Sequence, residues 1–478
     1  MAIVGAGPAG MTAAFELSKR GVEVDVYEAG AHEGGLSRSI DLWGQRVDLG
    51  PHRFFSQDAR VNRVWLEAVA ERYAMVDRLT RIYYRQKYFH YPLRAADALR
   101  QLGGVEAARC VASYAVERGR ALRHRPDAET FEDWVVSRFG RRLFEIFFKS
   151  YSEKLWGIPC SELDADFAAQ RIKKLSLLEA AKNALGAGRT THATLVDRFA
   201  YPLEGAGSVY AGMADAVRRR GGRIHFNAPV RHAVREGGRV VGVALESGEV
   251  RRVDHVVSTM PLTLLVRSLE GTPDAVHAAA SSLTFRNTVL VYLRVDAERL
   301  FPDQWLYIHS PDLMAGRVTN FRNWVPDIVR GERSTILALE YWCNDADALW
   351  REDDATLITR ARRELARTGL AAEALVGAGH VVRIPRCYPV YRRGYRTALD
   401  TVVAYLRGVD GLTPIGRYGA FKYNNQDHSI LMGLLAARNI ADGEHNDLWS
   451  VNTDYESYQE AAVITATGLE PAEGPDPG

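Results

Sequence analysis

A chain of 478 residues is too long for one ordinary hydrophobic core, so two or three subdomains are expected. Its 61 Lys and Arg residues nearly balance 59 Asp and Glu residues, which excludes a bulk charge that would recruit nucleic acid or an anionic membrane. The four cysteines lie far apart, so the sequence predicts neither a disulfide framework nor a metal centre. No apolar run is long enough to cross a bilayer, and no signal-peptide pattern is present, so we expect a cytoplasmic protein.

The first residues predict the turn of a dinucleotide-binding fold. An apolar run at residues 2–4 leads directly into Gly5-Ala6-Gly7-Pro8-Ala9-Gly10, and a helical pattern follows. Gly5 permits a tight turn, Gly7 lets the backbone approach a diphosphate, and Gly10 lets the helix pack closely on the strand. The N–H groups and the dipole at the start of that helix favour a bound anion.

A second predicted strand, residues 22–27, ends in Glu28, which is 18 residues after Gly10. An acidic side chain at this place accepts hydrogen bonds from the hydroxyl groups of a ribose. The order of strand, glycine turn, helix, strand and acidic residue therefore predicts a dinucleotide site. Its candidate residues are Gly5, Gly7, Pro8, Ala9, Gly10 and Glu28.

Two further segments indicate that the dinucleotide is FAD. They read Gly34-Gly35-Leu36-Ser37-Arg38-Ser39 and Val47-Asp48-Leu49-Gly50-Pro51-His52. Both resemble fingerprints of the large flavoprotein superfamily that includes amine oxidases, protoporphyrinogen oxidase and UDP-galactopyranose mutase. The resemblance implies that the first segment wraps the flavin diphosphate and ribityl chain, and that the second lies beside the isoalloxazine ring. The implied FAD contacts are Gly35, Leu36, Ser37, Gly50 and Pro51.

A later piece of the chain fits the same superfamily. Residues 223–230 and 256–261 occur in the expected order, and the resemblance implies that Val230 contacts the adenine end. We therefore expect an α/β fold with a discontinuous, Rossmann-like FAD domain. Its three parts are residues 1–60, 200–265 and 405–445.

The remaining ranges predict two further domains and a tail. Between residues 61 and 199, apolar positions recur every three or four residues, at 96–122 and 131–148, and predict a helical insert. Residues 266–404 predict an antiparallel-sheet substrate domain. Its strand-like runs are residues 288–293, 335–339 and 381–384, and its helix is residues 355–368. Residues 465–478, rich in Pro, Gly and Glu, predict a disordered tail.

Two motifs resemble the UDP-galactopyranose mutase branch of the superfamily. Tyr151-Ser152-Glu153-Lys154-Leu155-Trp156-Gly157 is similar to the sugar-pocket motif of the bacterial enzymes. Residues 416–423, followed by Asn425-Gln426-Asp427-His428-Ser429, resemble the C-terminal flavin and substrate motif of the eukaryotic enzymes. Three tyrosine–proline pairs occur in the matching order, at residues 91–92, 201–202 and 388–389.

This resemblance implies a pyranose/furanose isomerisation of a nucleotide-linked sugar through N5 of reduced FAD, without net redox change. It implies that Arg417 and Tyr423 hold the diphosphate and that His52 lies at the flavin, which makes these three the candidate catalytic residues. The implied substrate-binding residues are the hydroxyl donors Tyr151 and Tyr388, the aromatic wall Trp156, the second cation Arg294, and Tyr91 and Asn425. The implied further FAD contacts are Gly416, Gln426 and Ser429.

Structural roles for several of these side chains stay open. Tyr151 and Trp156 have the spacing of core aromatics at a helix end, and His428 fits the cap of a helix that starts near Ser429. The arginine that precedes the Tyr/Phe-Pro pair in eukaryotic mutases is replaced here by Ala200.

A second hypothesis is therefore an FAD-dependent oxidoreductase of the amine oxidase, protoporphyrinogen oxidase or desaturase type. It would act on a non-nucleotide substrate in an apolar pocket, for which Phe144, Phe147 and Phe148 are candidates. A non-enzymatic flavin-binding role is the third. Arginine and tyrosine side chains converging on the flavin would favour the mutase hypothesis. In each case we expect a small-molecule ligand, no nucleic acid and no membrane span, with the oligomeric state left open.

Overall fold

Two β-sheets organise the molecule. The computed structural model describes residues 1–91, 93, 95–123, 128–166, 198–452, 463–465 and 468–470. One sheet is parallel and five-stranded, and the other has seven strands that are almost all antiparallel. Their shared hydrophobic core contains Ala2 and Val256 of the first sheet and Tyr292 and Ile336 of the second. The predicted α/β fold, with a parallel FAD domain, a helical insert and an antiparallel sheet, is confirmed.

The parallel sheet is assembled from three distant parts of the chain. Its strands, in spatial order, are Leu412–Pro414, Val256–Ser258, Ala2–Val4, Asp25–Tyr27 and Arg223–His225. Ile3, Val26 and Val257 are completely buried, as expected where both faces of a parallel sheet are covered. The helices that pack with these side chains are Pro8–Lys19, Gly207–Arg219 and Gln426–Ala441. A small antiparallel sheet follows in the chain, with strands Val230–Glu236, Arg239–Leu245 and Val250–Arg252.

The seven-stranded sheet separates two layers of packing. Its strands, in spatial order, are Val376–Pro389, Phe285–Val295, Thr335–Cys343, Arg317–Asn320, Trp305–Ile308, Thr80–Tyr84 and Lys87–His90. Leu290 and Ile336 point into the core shared with the FAD domain, whereas Val291 and Leu337 pack in the core that includes the helix Asp354–Thr368. The face that carries the even-numbered side chains of Phe285–Val295 and Thr335–Cys343 therefore forms one wall of the candidate site.

Two strands of this sheet come from the range predicted as a helical insert. Thr80–Tyr84 pairs in parallel with Trp305–Ile308, and a tight hairpin connects it to Lys87–His90. The two turn residues, Arg85 and Gln86, have φ values of 47° and 61°. Such a turn usually contains Gly, Asn or Asp. Because neither turn residue is one of these, the sequence does not predict the hairpin.

The helical part of the insert lies between residues 95 and 156. Its helices are Ala95–Leu102, Gly104–Arg123, Phe131–Phe139, Arg141–Phe144 and Ser150–Trp156, with a π-helix at Glu145–Lys149. Thr130 caps the third helix by accepting a hydrogen bond from Asp133 N–H (3.1 Å). The buried side chains of these helices, such as Phe144, join the core shared by the two sheets.

Shorter elements complete the fold. The other α-helices are Ala59–Val69, Leu262–Ser268, Asp274–Ser282, Ala348–Arg351, Tyr395–Arg407 and Gly416–Gly419. The 3-10 helices are Gly35–Ser37, Phe321–Asn323, Pro326–Val329, Glu373–Leu375 and Leu448–Ser450. Separate strand pairs are Ser39–Leu42 with Gln45–Asp48, Tyr73–Asp77 with Arg198–Pro202, and Val463–Thr465 with Gly468–Glu470. The last pair overlaps the start of the predicted tail, whose residues 466–467 and 471–478 lie outside the described residues. No helix in the described ranges has the length and apolar character needed to cross a membrane.

Candidate functional site

The dinucleotide turn has the close backbone contacts that a bound diphosphate requires. Gly5 has a φ of +95°, and a Cβ atom on Gly10 would lie 2.0 Å from the carbonyl oxygen of Gly5. The helix that begins at Pro8 therefore starts directly against the first strand. Its N-cap is Gly7, and no side chain caps its first turn. This helix end presents N–H groups to an anion.

Two later glycines pack against the same turn. A Cβ atom on Gly35 would lie 3.0 Å from the Cα atom of Gly7. A Cβ atom on Gly416 would lie 2.9 Å from the Cβ atom of Ala9. The segments of Gly35 and Gly416, almost 400 residues apart in the chain, thus both pack against the dinucleotide turn. A larger residue at either glycine would be too close to the turn.

Glu28 lies at the end of the second parallel strand, beside this turn. Its carboxylate accepts hydrogen bonds from the N–H groups of Ala6 (2.7 Å) and Gly30 (2.8 Å). The N–H group of Ala228 donates to the carbonyl oxygen of Glu28 (2.9 Å). This contact brings the strand that starts at Val230 to the edge where Glu28 lies.

Within the ranges predicted for the FAD domain, two buried side-chain nitrogen atoms have no hydrogen-bond partner among the described residues: Nε of Arg38 and Nδ1 of His52. Buried polar atoms are normally paired, so both fit contacts to a bound cofactor. Gln426 joins the His52 turn to the last helix, because its Nε2 donates to His52 O (3.2 Å) and its Oε1 accepts from Tyr210 (2.7 Å). The other predicted FAD contacts lie in these segments: Leu36 and Pro51 are partly buried, Ser37 and Ser429 are buried, and Gly50 has a φ of +106°.

Arg417 lies against two tyrosine rings that stack on each other. Its guanidinium carbon lies 4.8 Å from the ring centre of Tyr388 and 4.3 Å from that of Tyr423, and the rings stack 5.3 Å apart. Its Nε donates to Cys387 O (2.9 Å) and its Nη1 to Asn424 O (2.8 Å). Cation–π contacts and two carbonyl acceptors therefore fix the orientation of this cation.

A second largely buried guanidinium group, that of Arg317, escaped the sequence analysis. Glu340 on the neighbouring strand accepts hydrogen bonds from its Nε (2.6 Å) and its Nη2. The charge of Arg317 acts on His52, Tyr151 and Tyr388, so it lies among the predicted site residues. One signal was present in the sequence: the glutamate interrupts a strand, Thr335–Cys343, that is otherwise apolar and is buried throughout. A buried carboxylate requires a cationic partner.

An aromatic row connects the surface with this centre. Tyr91, which is 39% exposed, lies 4.8 Å from Tyr307, and Tyr307 lies 5.5 Å from Tyr151. Tyr151 also stacks face to face on His309, with ring centres 4.7 Å apart. Tyr307 and His309 were not identified from the sequence, because no local pattern distinguishes them from other strand residues.

Trp156 lies behind the tyrosines. It is 1% exposed, and its ring centre is 5.9 to 6.2 Å from those of Tyr388, Tyr391 and Tyr423. Its position is that of a support for the tyrosine rings, which agrees with the core role left open from its spacing.

Burial determines the protonation of the central groups. It lowers the pKa of His52 to about 3, and the nearby charges of Arg317 and Arg417 act in the same direction. Burial raises the pKa values of Tyr151 and Tyr388 well above their usual range. At neutral pH the site therefore contains two guanidinium cations, a neutral imidazole and phenols that remain hydrogen-bond donors.

Two predicted substrate residues make other contacts in this structure. The strand register pairs Arg286 with Tyr388, and Arg294 is eight residues further along that strand, which corresponds to about 26 Å. Arg294 instead contacts Asp296 (3.3 Å). Asn425 is exposed and forms a capping box with His428 at the start of the last helix. The length of the strand thus separates Arg294 from Tyr388, whereas Asn425 lies between Asn424 and Gln426 in the chain with its side chain in the helix cap.

The profile of the family described as flavin-containing amine oxidoreductase matches residues 8–383. This chain belongs to that family. The dinucleotide turn and the contact between the last helix and the His52 turn are formed by the residues described above. The protein is an FAD-dependent flavoenzyme, and the predicted cofactor and family resemblance are confirmed.

Individual relatives point to more than one chemistry. A probable UDP-galactopyranose mutase of Klebsiella pneumoniae is 30% identical over 172 residues, which are 34% of this chain and 42% of that protein. A zeta-carotene desaturase of Capsicum annuum is 30% identical over 166 residues, which are 30% of this chain and 28% of that protein. The matches thus span less than half the length of these curated relatives.

A crystal structure of reduced UDP-galactopyranose mutase has the same fold. It superposes with a TM-score of 0.84 at 24% identity, and the superposition covers 95% of this chain and 96% of that one. The agreement extends over the FAD domain, the helical insert and the antiparallel sheet.

Proposed function

We propose that this flavoenzyme acts on a nucleotide-linked sugar and catalyses a pyranose/furanose mutase-type isomerisation. The observation that carries the proposal is the convergence of two largely buried guanidinium groups, Arg317 and Arg417, with the phenols of Tyr151, Tyr388 and Tyr423. A desaturase substrate has no charge for such groups to bind. A nucleoside diphosphate has both the charge and the acceptor oxygens.

The two arginines differ in what they offer to an anion. Arg417 uses Nε and Nη1 on backbone carbonyls, so it contributes charge and its remaining nitrogen. Arg317 is held side-on by Glu340 through Nε and Nη2, which leaves its Nη1 edge for another acceptor. Guanidinium groups oriented in advance bind a diphosphate at a smaller entropic cost than free surface side chains.

The remaining residues have distinct tasks in this proposal. Tyr388 and Tyr151 stay protonated and donate hydrogen bonds to the diphosphate, and Tyr423 holds Arg417 in place. His52 stays neutral and contacts the cofactor through its turn. Reduced FAD, when bound, supplies the nucleophilic N5 nitrogen for the change of ring size.

An oxidoreductase that acts on a non-nucleotide substrate is the second candidate, supported by the family description and by the desaturase relatives. It would need an apolar pocket next to the flavin. Phe144 and Phe147 are 1% and 2% exposed, and Phe147 packs on Phe89 with ring centres 4.9 Å apart. These rings are packed in the core shared by the two sheets, which weakens the support for this candidate.

A titration of the reduced flavin tests the proposal. The FAD-loaded protein is reduced with dithionite without air and titrated with UDP-, GDP- and dTDP-sugars. We expect a saturable change of the reduced flavin spectrum and a ring-size isomer of one sugar, with no net oxidation. No response to any nucleotide sugar, together with flavin reduction by an amine, alcohol or tetrapyrrole, would establish the oxidoreductase instead.

Substitution of Arg417 gives the residue-specific test. Arg417→Met should weaken binding of the nucleotide sugar by about 30-fold, because a charge-assisted hydrogen bond contributes about 2 kcal/mol, while FAD stays bound. Arg294→Met is the matched control, since Arg294 lies on the seven-stranded sheet but away from the centre. Equal effects of the two substitutions would contradict the proposed diphosphate site.

A further inference from the structure

Lys154 makes an unusual set of contacts for a lysine near the candidate site. It lies three residues after Tyr151 on the helix Ser150–Trp156, so both side chains lie on the same side of the helix. Its ammonium group donates to the carbonyl oxygens of Ser310 (2.7 Å), Ile308 (3.1 Å) and Ala315 (3.5 Å). These acceptors lie at the end of the strand Trp305–Ile308 and in the segment that follows it.

His309 lies between two of these acceptors in the chain. Its imidazole stacks on the ring of Tyr151, with an interplanar angle of 16°. His309 is 6% exposed, and burial together with the charge of Lys154 lowers its pKa to about 3. The stack is therefore formed by a neutral imidazole and a neutral phenol, and the carbonyl groups held by Lys154 fix one of its two members.

Termination of the helix does not require Lys154. Arg286 already binds the helix end, with Nε donating to Leu155 O (3.3 Å) and Nη2 donating to Lys154 O (3.2 Å). Burial of an ammonium group opposes folding, and it lowers the pKa of Lys154 to about 8. An apolar side chain would avoid this cost, so the cation points to a task that packing alone does not perform.

We propose that Lys154 is a positioning residue that holds His309 against Tyr151 and so keeps the Tyr151 hydroxyl directed at the substrate. The proposal rests on the proposed function only in the choice of ligand, a nucleoside diphosphate. Lys154 acts on the ligand through Tyr151 and does not itself touch it.

A double-mutant cycle on the FAD-loaded, reduced enzyme tests this route, with UDP as the titrant. Lys154→Met should raise the Kd of UDP about tenfold and leave the FAD content unchanged, while Lys149→Met, which removes an exposed lysine from the same helical segment, should change it by less than about twofold. In the background of Tyr151→Ala, Lys154→Met should add nothing further. Effects that multiply in the double variant would overturn the proposal.

Hydrogen exchange without any ligand separates this proposal from the proposed function. Lys154→Met should accelerate amide exchange in residues 150–157 and 305–310 together, and Lys149→Met should not. If the wild-type enzyme binds no nucleotide but this coupled exchange is found, the proposed function fails and the positioning contact stands. Wild-type exchange in both segments would overturn the positioning role. Should Lys154→Met lose FAD on purification, Lys154→Gln, which keeps a shorter donor, replaces it in both experiments, with smaller effects in the same directions.

Discussion

Asp48 is a completely buried carboxyl group, two residues before Gly50, in the segment predicted to lie beside the isoalloxazine ring. It accepts hydrogen bonds from Ser39 Oγ (2.6 Å), the hydroxyl of Tyr201 (2.8 Å) and the N–H of Ala206 (3.1 Å). Its carbonyl oxygen accepts from Tyr292 (2.8 Å), on the seven-stranded sheet. Burial nevertheless dominates these contacts and raises the pKa of Asp48 to about 7.

A pH dependence of stability follows from this residue. The pKa of Asp48 is higher in the folded than in the unfolded protein, so its contribution is fully present below about pH 4 and is lost as the pH rises through 7. The wild-type free energy of unfolding should therefore fall relative to that of Asp48→Asn between pH 4 and 8, by about 4 kcal/mol at most. Urea unfolding of both FAD-loaded proteins across this range measures the difference, and parallel curves would contradict the assignment.

The contact between the first strand and the first helix leaves no space for a side-chain methyl group. Gly10 has no room for a Cβ atom, because that atom would lie 2.0 Å from the carbonyl oxygen of Gly5. Gly119, in the exposed helix Gly104–Arg123, has nothing within 4 Å of the same atom. Close packing therefore requires glycine at position 10, whereas nothing in the surroundings of Gly119 requires it.

Alanine at each position should have opposite effects. Gly10→Ala should destabilise the protein by at least about 2 kcal/mol and reduce its FAD content, because backbone atoms must move apart. Gly119→Ala should stabilise the protein by about 0.5 to 1 kcal/mol through the higher helix propensity of alanine, with FAD unchanged. Thermal unfolding and the flavin absorbance after desalting report both quantities. A stable, fully loaded Gly10→Ala protein would refute the close packing.

At the scale of the whole molecule, the expected FAD site takes residues from four segments of the chain, which carry Gly7, Arg38, His52 and Gln426. A ligand that contacts all of them binds only the folded chain. Its removal should therefore lower the stability of the entire domain.

Removal of FAD should lower the Tm. Addition of FAD at 100 times its Kd should raise the free energy of unfolding of the FAD-free protein by about 2.7 kcal/mol. Arg38→Met should show a smaller FAD-dependent rise in Tm, because the buried Nε of Arg38 has no partner in the described chain other than the expected cofactor. Arg219→Met, at the exposed end of the helix Gly207–Arg219, is the matched control. Differential scanning fluorimetry with and without FAD compares the three proteins. A full rise in the Arg38 variant would exclude Arg38 from the cofactor site.

Local sequence was sufficient to identify FAD as the cofactor, because the patterns that indicate it lie in short segments. The turn at residues 5–10 forms its strand, turn and helix from neighbouring residues, and Glu28 follows at the end of the next strand. The helices around residues 96–122 and 131–148 were also predictable, since apolar periodicity is a local property.

Only the tertiary structure determined which arginine, tyrosine and histidine side chains lie together at the candidate substrate site. Arg317 reaches the centre only because its strand pairs in register with the one that carries Glu340. Tyr151 meets His309 only because the helix of the insert packs on the seven-stranded sheet. Arg294 is an arginine on the same sheet and was equally plausible in the sequence, but the register places it toward the other end. Strand register and domain packing depend on contacts between distant residues, and a spacing pattern does not contain them.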